Sequence, residues 1–215
     1  EGVAVMRLEG RATGKLPALD VRLDLDSPTR VRLQFRWLLG VLGDVVARGD
    51  TLVAWVPSER LGLAFAGLED SLGVHEPARF LTQALTAAWV APHQAWREGV
   101  LDSAGVSLAW HEPDGDAWTM RVDRRARPVE ARVTRADHTL TIRVSAWDGV
   151  GGKARPERIT ITDGDGWVHL RLDVDDLHPV RHRRASTFAL ELPADARTLD
   201  WSDLTRLLAL GGLAP

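Results

Sequence analysis

Seven histidines and thirty acidic residues are the raw material for chemistry in this chain, and their spacing decides whether it is usable. His75-Glu76-Pro77 and His111-Glu112-Pro113 repeat a tripeptide that sets an imidazole beside a carboxylate. Each stands next to a proline at the border of a patterned segment, where turn and capping chemistry account for it. His178 and His182, in HPVRH, have the spacing that puts two imidazoles on one metal when the segment is helical. Pro179 makes this one loop or strand instead. Asp163-Gly164-Asp165-Gly166 starts like a calcium loop but lacks the remaining ligand series and the closing glutamate, so it reads as a hairpin turn. Asp173, Asp175 and Asp176 lie off the apolar side of one strand and read as solvated carboxylates. Ser107, Ser186 and Ser202 have no glycine-flanked nucleophile elbow. The chain has no cysteine, which removes disulfides, thiolate nucleophiles and zinc–cysteine sites. Arg181-His182-Arg183-Arg184 is the one basic cluster, suited to anionic headgroups or to guarding a strand edge. These residues predict no enzyme, no metal site and no cofactor.

The elements that would position them are mostly strands. Period-two patterning marks strands over Val3–Leu8, Val21–Leu25 and Val31–Trp37, and Val45–Arg48 and Leu52–Val56 flank a turn. The same pattern returns over Val106–Trp110, Trp118–Val122, Val129–Val133, Leu140–Val144, Ile159–Ile161, Val168–Val174 and Phe188–Leu192. Ser27-Pro28, Gly49-Asp50 and Pro113-Asp114-Gly115-Asp116 supply turns, Gly49-Asp50 at hairpin spacing. A helical stripe of Phe80, Leu81, Ala84, Leu85, Ala88 and Trp89 predicts a helix over Glu76–Val90, between Pro77 and Pro92. Ser202 N-caps a second helix predicted over Ser202–Leu210. Gly149–Pro156 reads as a long loop. About a dozen one-sided strands joined by short loops predict an antiparallel meander curled around one or two helices, in a single domain over residues 1–215. A sheet that wide cannot fill its own interior with side chains, so a helix or a ligand must.

Composition removes several classes of function. Apolar residues make up 45% and charged residues 27% of 215, ordinary for a folded protein with a sizeable core. A net charge of −3 argues against nucleic acid as partner. No apolar stretch reaches the ~18 residues of a membrane span. The chain begins at Glu1 without Met, which reads as a processed or shortened protein.

One segment departs from the alternation. After Trp37 the residues Leu38, Leu39, Val41 and Leu42 follow with only Gly40 between them, and Gly43 closes the run. It is too short and too broken by glycine for a membrane span or a good core helix.

The order of these pieces resembles the LolA/LolB lipoprotein-carrier superfamily, especially outer-membrane lipoproteins like LolB. The resemblance rests on Gly10-Arg11-Ala12 closing a first strand, Val21-Arg22-Leu23-Asp24-Leu25 closed by Ser27-Pro28, and Arg30-Val31-Arg32-Leu33. It continues through the apolar turn Leu39-Gly40-Val41-Leu42-Gly43 to Val45-Val46-Ala47-Arg48-Gly49-Asp50 and Leu52-Val53-Ala54-Trp55-Val56-Pro57. Leu72-Gly73-Val74 leading into the Phe80 helix looks like the family's lid. Thr187-Phe188-Ala189-Leu190-Glu191-Leu192-Pro193 looks like its closing strand.

The resemblance implies a mainly β (α+β) fold: an incomplete antiparallel β-barrel of about eleven strands wrapped over one to three helices. It implies a periplasmic or outer-membrane protein whose cavity takes lipid or lipoprotein acyl chains as a carrier or chaperone, with no cofactor. The family's lipidated cysteine and N-terminal helix are absent, so an anchor would lie upstream of Glu1. Leu33, Phe35, Leu52, Phe80, Leu85 and Trp89 are the expected cavity lining. Leu38, Leu39, Val41 and Leu42 are the expected rim loop, placed to meet a membrane surface, and the protein is expected to be a monomer. Two rival readings use the same strands. One is a structural lipoprotein with a closed core, acting as a scaffold in an envelope complex. The other is a glycan-binding β-domain, which needs two or three of Trp55, Trp96, Trp110, Trp118, Trp147 and Trp167 exposed in a row.

Overall fold

The computed structural model describes residues 2–10, 14–15, 18–26, 29–37, 40–66, 77–113, 115–135, 138–149, 154–164, 169–177 and 184–199. Strands dominate them: β1 (Gly2–Gly10), β2 (Gly14–Lys15), β3 (Leu19–Asp26), β4 (Arg30–Trp37), β5 (Gly40–Arg48), β6 (Thr51–Val56) and β7 (Leu61–Ala66). After the helices α1 (Pro77–Thr86) and α2 (His93–Arg97) come β8 (Val100–Leu101), β9 (Gly105–His111), β10 (Ala117–Asp123) and β11 (Pro128–Arg135). The last described elements are β12 (His138–Asp148), β13 (Arg155–Asp163), β14 (His169–Leu177), a 3₁₀ helix at Ala185–Phe188, and β15 (Arg197–Leu199).

The chain divides into two compact units. The first is Glu1–Met6, Pro17–Thr82 and Val174–Pro215; the second is Arg7–Leu16 and Gln83–Asp173. The first unit's strands run in the order β1-β3-β4-β5-β6-β7-β15. They are antiparallel as far as β7, and β15 joins β7 in parallel. The second unit's order is β14-β13-β12-β11-β10-β9-β8, antiparallel throughout. Neither path closes on itself. The fold is mainly β, antiparallel and unclosed with few helices, as expected.

Alternation sets the faces, because successive side chains of a strand point to opposite sides. In the first unit Val21 faces Phe35, Leu23 faces Leu33, and Leu33 faces Val45 across the ladder, so one sheet face is apolar. In the second unit Met120 faces Leu108 and Ala131, Ala131 faces Ile142, and Ile142 faces Ile161. Gly49 sits at φ 55° in the two-residue β5–β6 hairpin, a conformation that favours glycine.

Several expectations are corrected. The glycine-broken run is not a turn from Leu39 to Gly43: Gly40 already pairs with Trp37, and β5 starts there. The step from Phe35 to Arg36 carries a bulge that absorbs the irregularity. β7 was hidden because Leu-Gly-Leu-Ala-Phe-Ala alternates large with small, not apolar with polar. The helix stops at Thr86, not Val90, and Ala87 turns left-handed at φ 51°. α2 was not anticipated, having only five residues and no side-chain cap. Phe188–Leu192 is not a strand; the 3₁₀ helix leads into an extended strap. The Gly149–Pro156 loop is shorter than expected, because Trp147 pairs with Pro156 and Asp148 with Arg155. The helix expected over Ser202–Leu210 lies outside the described residues, as do His75, His178 and His182.

Candidate functional site

The apolar face of the first sheet is covered unevenly. On β3 and the start of β4, Val21, Leu23 and Val31 are almost wholly buried, as are Ala47 and Ala54 further along. Towards β7 the large side chains are only half-buried: Leu33 and Phe35 on β4, Val45 on β5, Leu52 on β6, Leu63 and Phe65 on β7. The registers join them, with Leu33 opposite Val45, Leu63 opposite Ala54, and Leu52 opposite Phe65. Gly43 contributes no side chain here, and a Cβ on it would touch the Phe35 ring at 3.5 Å. The result is a continuous apolar surface with water on part of it.

The opposite face of the same sheet, polar in sequence, is partly covered. Arg32 grips Asp44 with two hydrogen bonds, from Nε to Oδ1 at 2.9 Å and from Nη2 to Oδ2 at 2.5 Å. Gln34 donates to Asp44 Oδ2 at 3.1 Å, and the third nitrogen of Arg32 donates to the Thr187 carbonyl at 2.8 Å. The hydrogen bond to Asp44 raises the Arg32 pKa against the opposing effect of burial. Asp24, opposite Arg32 in register, is buried and ion-paired with Arg22 at 3.3 Å. Phe188 is fully buried on this side, with the Arg30 guanidinium 5.6 Å from its ring centre. Leu192 lies over Gly62 so closely that a Cβ there would come within 2.6 Å of its Cδ1. Residues 184–199 therefore strap part of the polar face, tied at the far end by the β15–β7 pairing and an Arg60–Asp195 ion pair.

The expected lining is brought together only in part. Leu33, Phe35 and Leu52 share the half-open face. Leu85 and Trp89 belong to the second unit and are buried. The Trp89 indole N–H meets no acceptor among the described residues. The Phe80 side chain, Leu38 and Leu39 lie outside the described residues. Val41 and Leu42 lie at the bulge: Val41, 37% exposed, stands opposite Arg36 in register, on the side of Gln34 and Arg32, and Leu42 is half-buried. Val45, Leu63 and Phe65 were missed. Val45 was legible as an inward strand position; Leu63 and Phe65 were lost with β7.

The face offers desolvation and shape, not acid–base chemistry. His93, His111 and His169 are exposed, at separate places. Among the described residues no three His, Asp or Glu side chains gather to hold a metal ion, and no helix is long and apolar enough to cross a membrane. Asp173, expected to be solvated, is ion-paired with Arg158 at 2.6 Å and Arg171 at 3.1 Å. Of the tryptophans, Trp110 is buried and stacked on Trp118 at 5.8 Å, and Trp55, Trp118 and Trp147 are half-buried. Trp96 alone among the described tryptophans is exposed, so the row that a glycan would need is not found there.

No protein-family model and no curated protein matches the sequence. Solved structures do. The chain is similar to a LolA superfamily protein from Nitrosomonas europaea, with TM-score 0.56 and 15% identity over 88% of this chain and 89% of that one. A DUF1329 family protein from Desulfovibrio piger gives TM-score 0.55 and 12% identity over 87% and 88% of the two chains. An outer membrane lipoprotein-sorting protein domain from Vibrio parahaemolyticus gives TM-score 0.50 and 9% identity over 87% and 88%. At these identities the likeness is one of fold: the chain has the architecture of the LolA/LolB-like proteins.

Proposed function

We propose that this protein is a non-enzymatic cell-envelope carrier, working in the periplasm or at the outer membrane, that holds the acyl chains of a lipid or lipoprotein against the half-open face of its first sheet. The observation that carries the reading is the uneven cover of that face: Leu33, Phe35, Val45, Leu52, Leu63 and Phe65 are large, contiguous and half-buried, while the strap lies on the face behind them. A fold shared with LolA superfamily proteins supports it. The driving force is desolvation, about 0.8 kcal/mol for each methylene taken from water. Binding is reversible and needs no cofactor, because neither partner changes covalently.

Native mass spectrometry with lipid extraction tests this on the protein purified from its host. A stoichiometric diacyl species is the expected result, with Phe35→Asp or Leu63→Asp reducing occupancy at least about tenfold through the cost of burying a carboxylate beside hydrocarbon. A lipid-free protein that also fails to take up a fluorescent fatty acid would overturn the proposal.

A further inference from the structure

The polar face of the second sheet carries its charge in an ordered way. Each of five adjacent strands puts one arginine on it: Arg121 on β10, Arg132 on β11, Arg143 on β12, Arg158 on β13 and Arg171 on β14. The registers fix them to one side. Arg121 faces Glu130, and Glu130 faces Arg143. Arg143 faces Thr160, and Thr160 faces Arg171, so these residues form one row across the strands. Arg132 lies one row to one side, opposite Thr119 and Thr141, and Arg158 one row to the other, opposite Asp173. Four strand spacings separate Arg121 from Arg171, about 19 Å, and the arginines of the central row recur every second strand, about 10 Å apart.

Two carboxylates hold this band in shape without cancelling it. Glu130 pairs with Arg143 at 2.7 Å and with Arg132 at 3.5 Å, and Asp173 pairs with Arg158 at 2.6 Å and with Arg171 at 3.1 Å. Each carboxylate fixes two guanidinium groups and offsets one charge. Arg121, Arg132, Arg143 and Arg158 are exposed, as are Arg124 and Arg125 on the turn that follows β10. The nearby acids are few. Asp102 has its pKa lowered by the backbone N–H groups of Ala104 and Gly105, with help from the charges of Arg121 and Arg124, and exposed Glu157 adjoins Arg158 in the chain. Seven arginines therefore stand against four carboxylates, in a chain whose net charge is −3. In the central row and the Arg132 row, from β10 to β14, the remaining positions besides Glu130 are Thr119, Thr141, Thr160, Thr162 and His169. Exposed Val100 lies beyond them, on the β8 edge.

We propose that this band binds an acidic polysaccharide laid across the strands, with its carboxylates on the arginines and its hydroxyls on the threonines. Arginine meets a carboxylate through two parallel hydrogen bonds. An extended chain of uronic acids shows carboxylates at regular intervals along one side, which suits cations that recur every second strand. The turns set the direction: exposed Glu112 and half-buried Asp163 stand at strand ends on the threonine side, where a polyanion running along the strands would meet them. Other polymers need what the band lacks. Single-stranded nucleic acid is held by aromatic side chains under its bases. A peptide helix or a bilayer is gripped most strongly where apolar side chains are buried against it. The band lies in the second unit and the acyl-binding face in the first, so either reading can fail alone.

Fluorescence anisotropy with a labelled alginate oligosaccharide tests it on the full chain. The protein should bind this probe in low salt, more weakly as salt rises, and should leave labelled neutral dextran unbound. Arg121→Gln with Arg143→Gln should weaken binding at least about tenfold, through the loss of two charge-assisted contacts. Arg48→Gln with Arg97→Gln removes the same charge from exposed arginines off the band and should leave the affinity unchanged. Wild-type protein that ignores alginate, binding that the band variant leaves intact, or an equal loss in both double variants overturns the proposal. So does tighter binding of phosphatidylglycerol vesicles or of single-stranded DNA than of alginate, which would assign the band to a membrane or to nucleic acid.

Discussion

The two sheets are built alike and covered in opposite ways. In the second, most of the apolar face is closed: Leu108, Met120, Val122, Ala131, Ile142, Val144, Ile159 and Leu172 are all buried, with Val106, Trp118, Val133, Leu140 and Leu170 half-buried around them. Its other face is largely open and carries Thr119, Arg121, Arg132, Arg143 and Arg158 in exposed positions. In the first, the polar face lies under the strap, with Asp24, Asp44 and Phe188 buried, while the apolar face is half-open towards β7. Alternation tells which side chains share a face, but it does not tell which face is dry. That depends on where the remaining chain is laid, and here the first unit spends its last described segment on the polar side. The apolar side keeps large half-buried residues towards β7, and that is where the proposed ligand would sit.

The contrast can be broken most directly at the strap. Phe188→Ala should cost about 3–5 kcal/mol, the usual penalty for emptying a fully buried aromatic site. Urea denaturation measures it, and a loss under about 1 kcal/mol would mean the strap is not the cover inferred for it. Asp44→Ala comes next, at about 3 kcal/mol, because it strands the part-buried Arg32 guanidinium without its counter-charge. Replacing Arg32 and Asp44 together by Met and Leu should recover most of that loss, which separates a stranded charge from a generally fragile site.

The sequence showed the fold well because the period-two alternation of β3, β4 and β9 to β14 is a local signal. It failed where the signal was of another kind. β7 alternates large with small, and α2 is too short for a helical period. The strap reads as a strand because Phe188, Leu190 and Leu192 alternate, yet only three residues after them pair with a neighbour, in parallel with β7. The candidate site was half legible for the same reason. Leu33, Phe35 and Leu52 were found as inward strand positions, whereas Leu85 and Trp89 belong to the interior of the second unit. A helical stripe shows that a side chain faces a core and cannot show which core. The Arg32–Asp44 pairing was out of reach, since its meaning depends on the Thr187 carbonyl 155 residues away.

On the half-open face the same truncation should read differently in stability and in binding. Leu33→Ala should cost only about 1 kcal/mol, well below the ~3 kcal/mol expected for Ile142→Ala in the closed face of the second sheet. Fatty-acid affinity should rank the other way, falling several-fold for Leu33→Ala and staying level for Ile142→Ala in whatever fraction remains folded. Equal stability costs at the two positions would remove the difference in cover on which the carrier reading stands.

The smallest effect belongs to the open polar face of the second sheet. Burial pushes the Asp173 pKa up, but hydrogen bonds from Arg158 and Arg171 outweigh it and leave the carboxyl below its ordinary range. A carboxyl lowered in the folded state contributes stability in full above its unfolded pKa, near ~3.9. That contribution is lost as pH falls through the folded value. Both arginines are substantially exposed, so solvent screening holds it below about 1 kcal/mol. Asp173→Asn should therefore lower stability slightly at pH 7, and its urea midpoint should converge with that of wild type on acidification below about pH 3. Midpoints that stay equally far apart from pH 7 to pH 3 would show that the carboxylate charge is not what the arginines hold, and that this face gains nothing from pairing that water does not already supply.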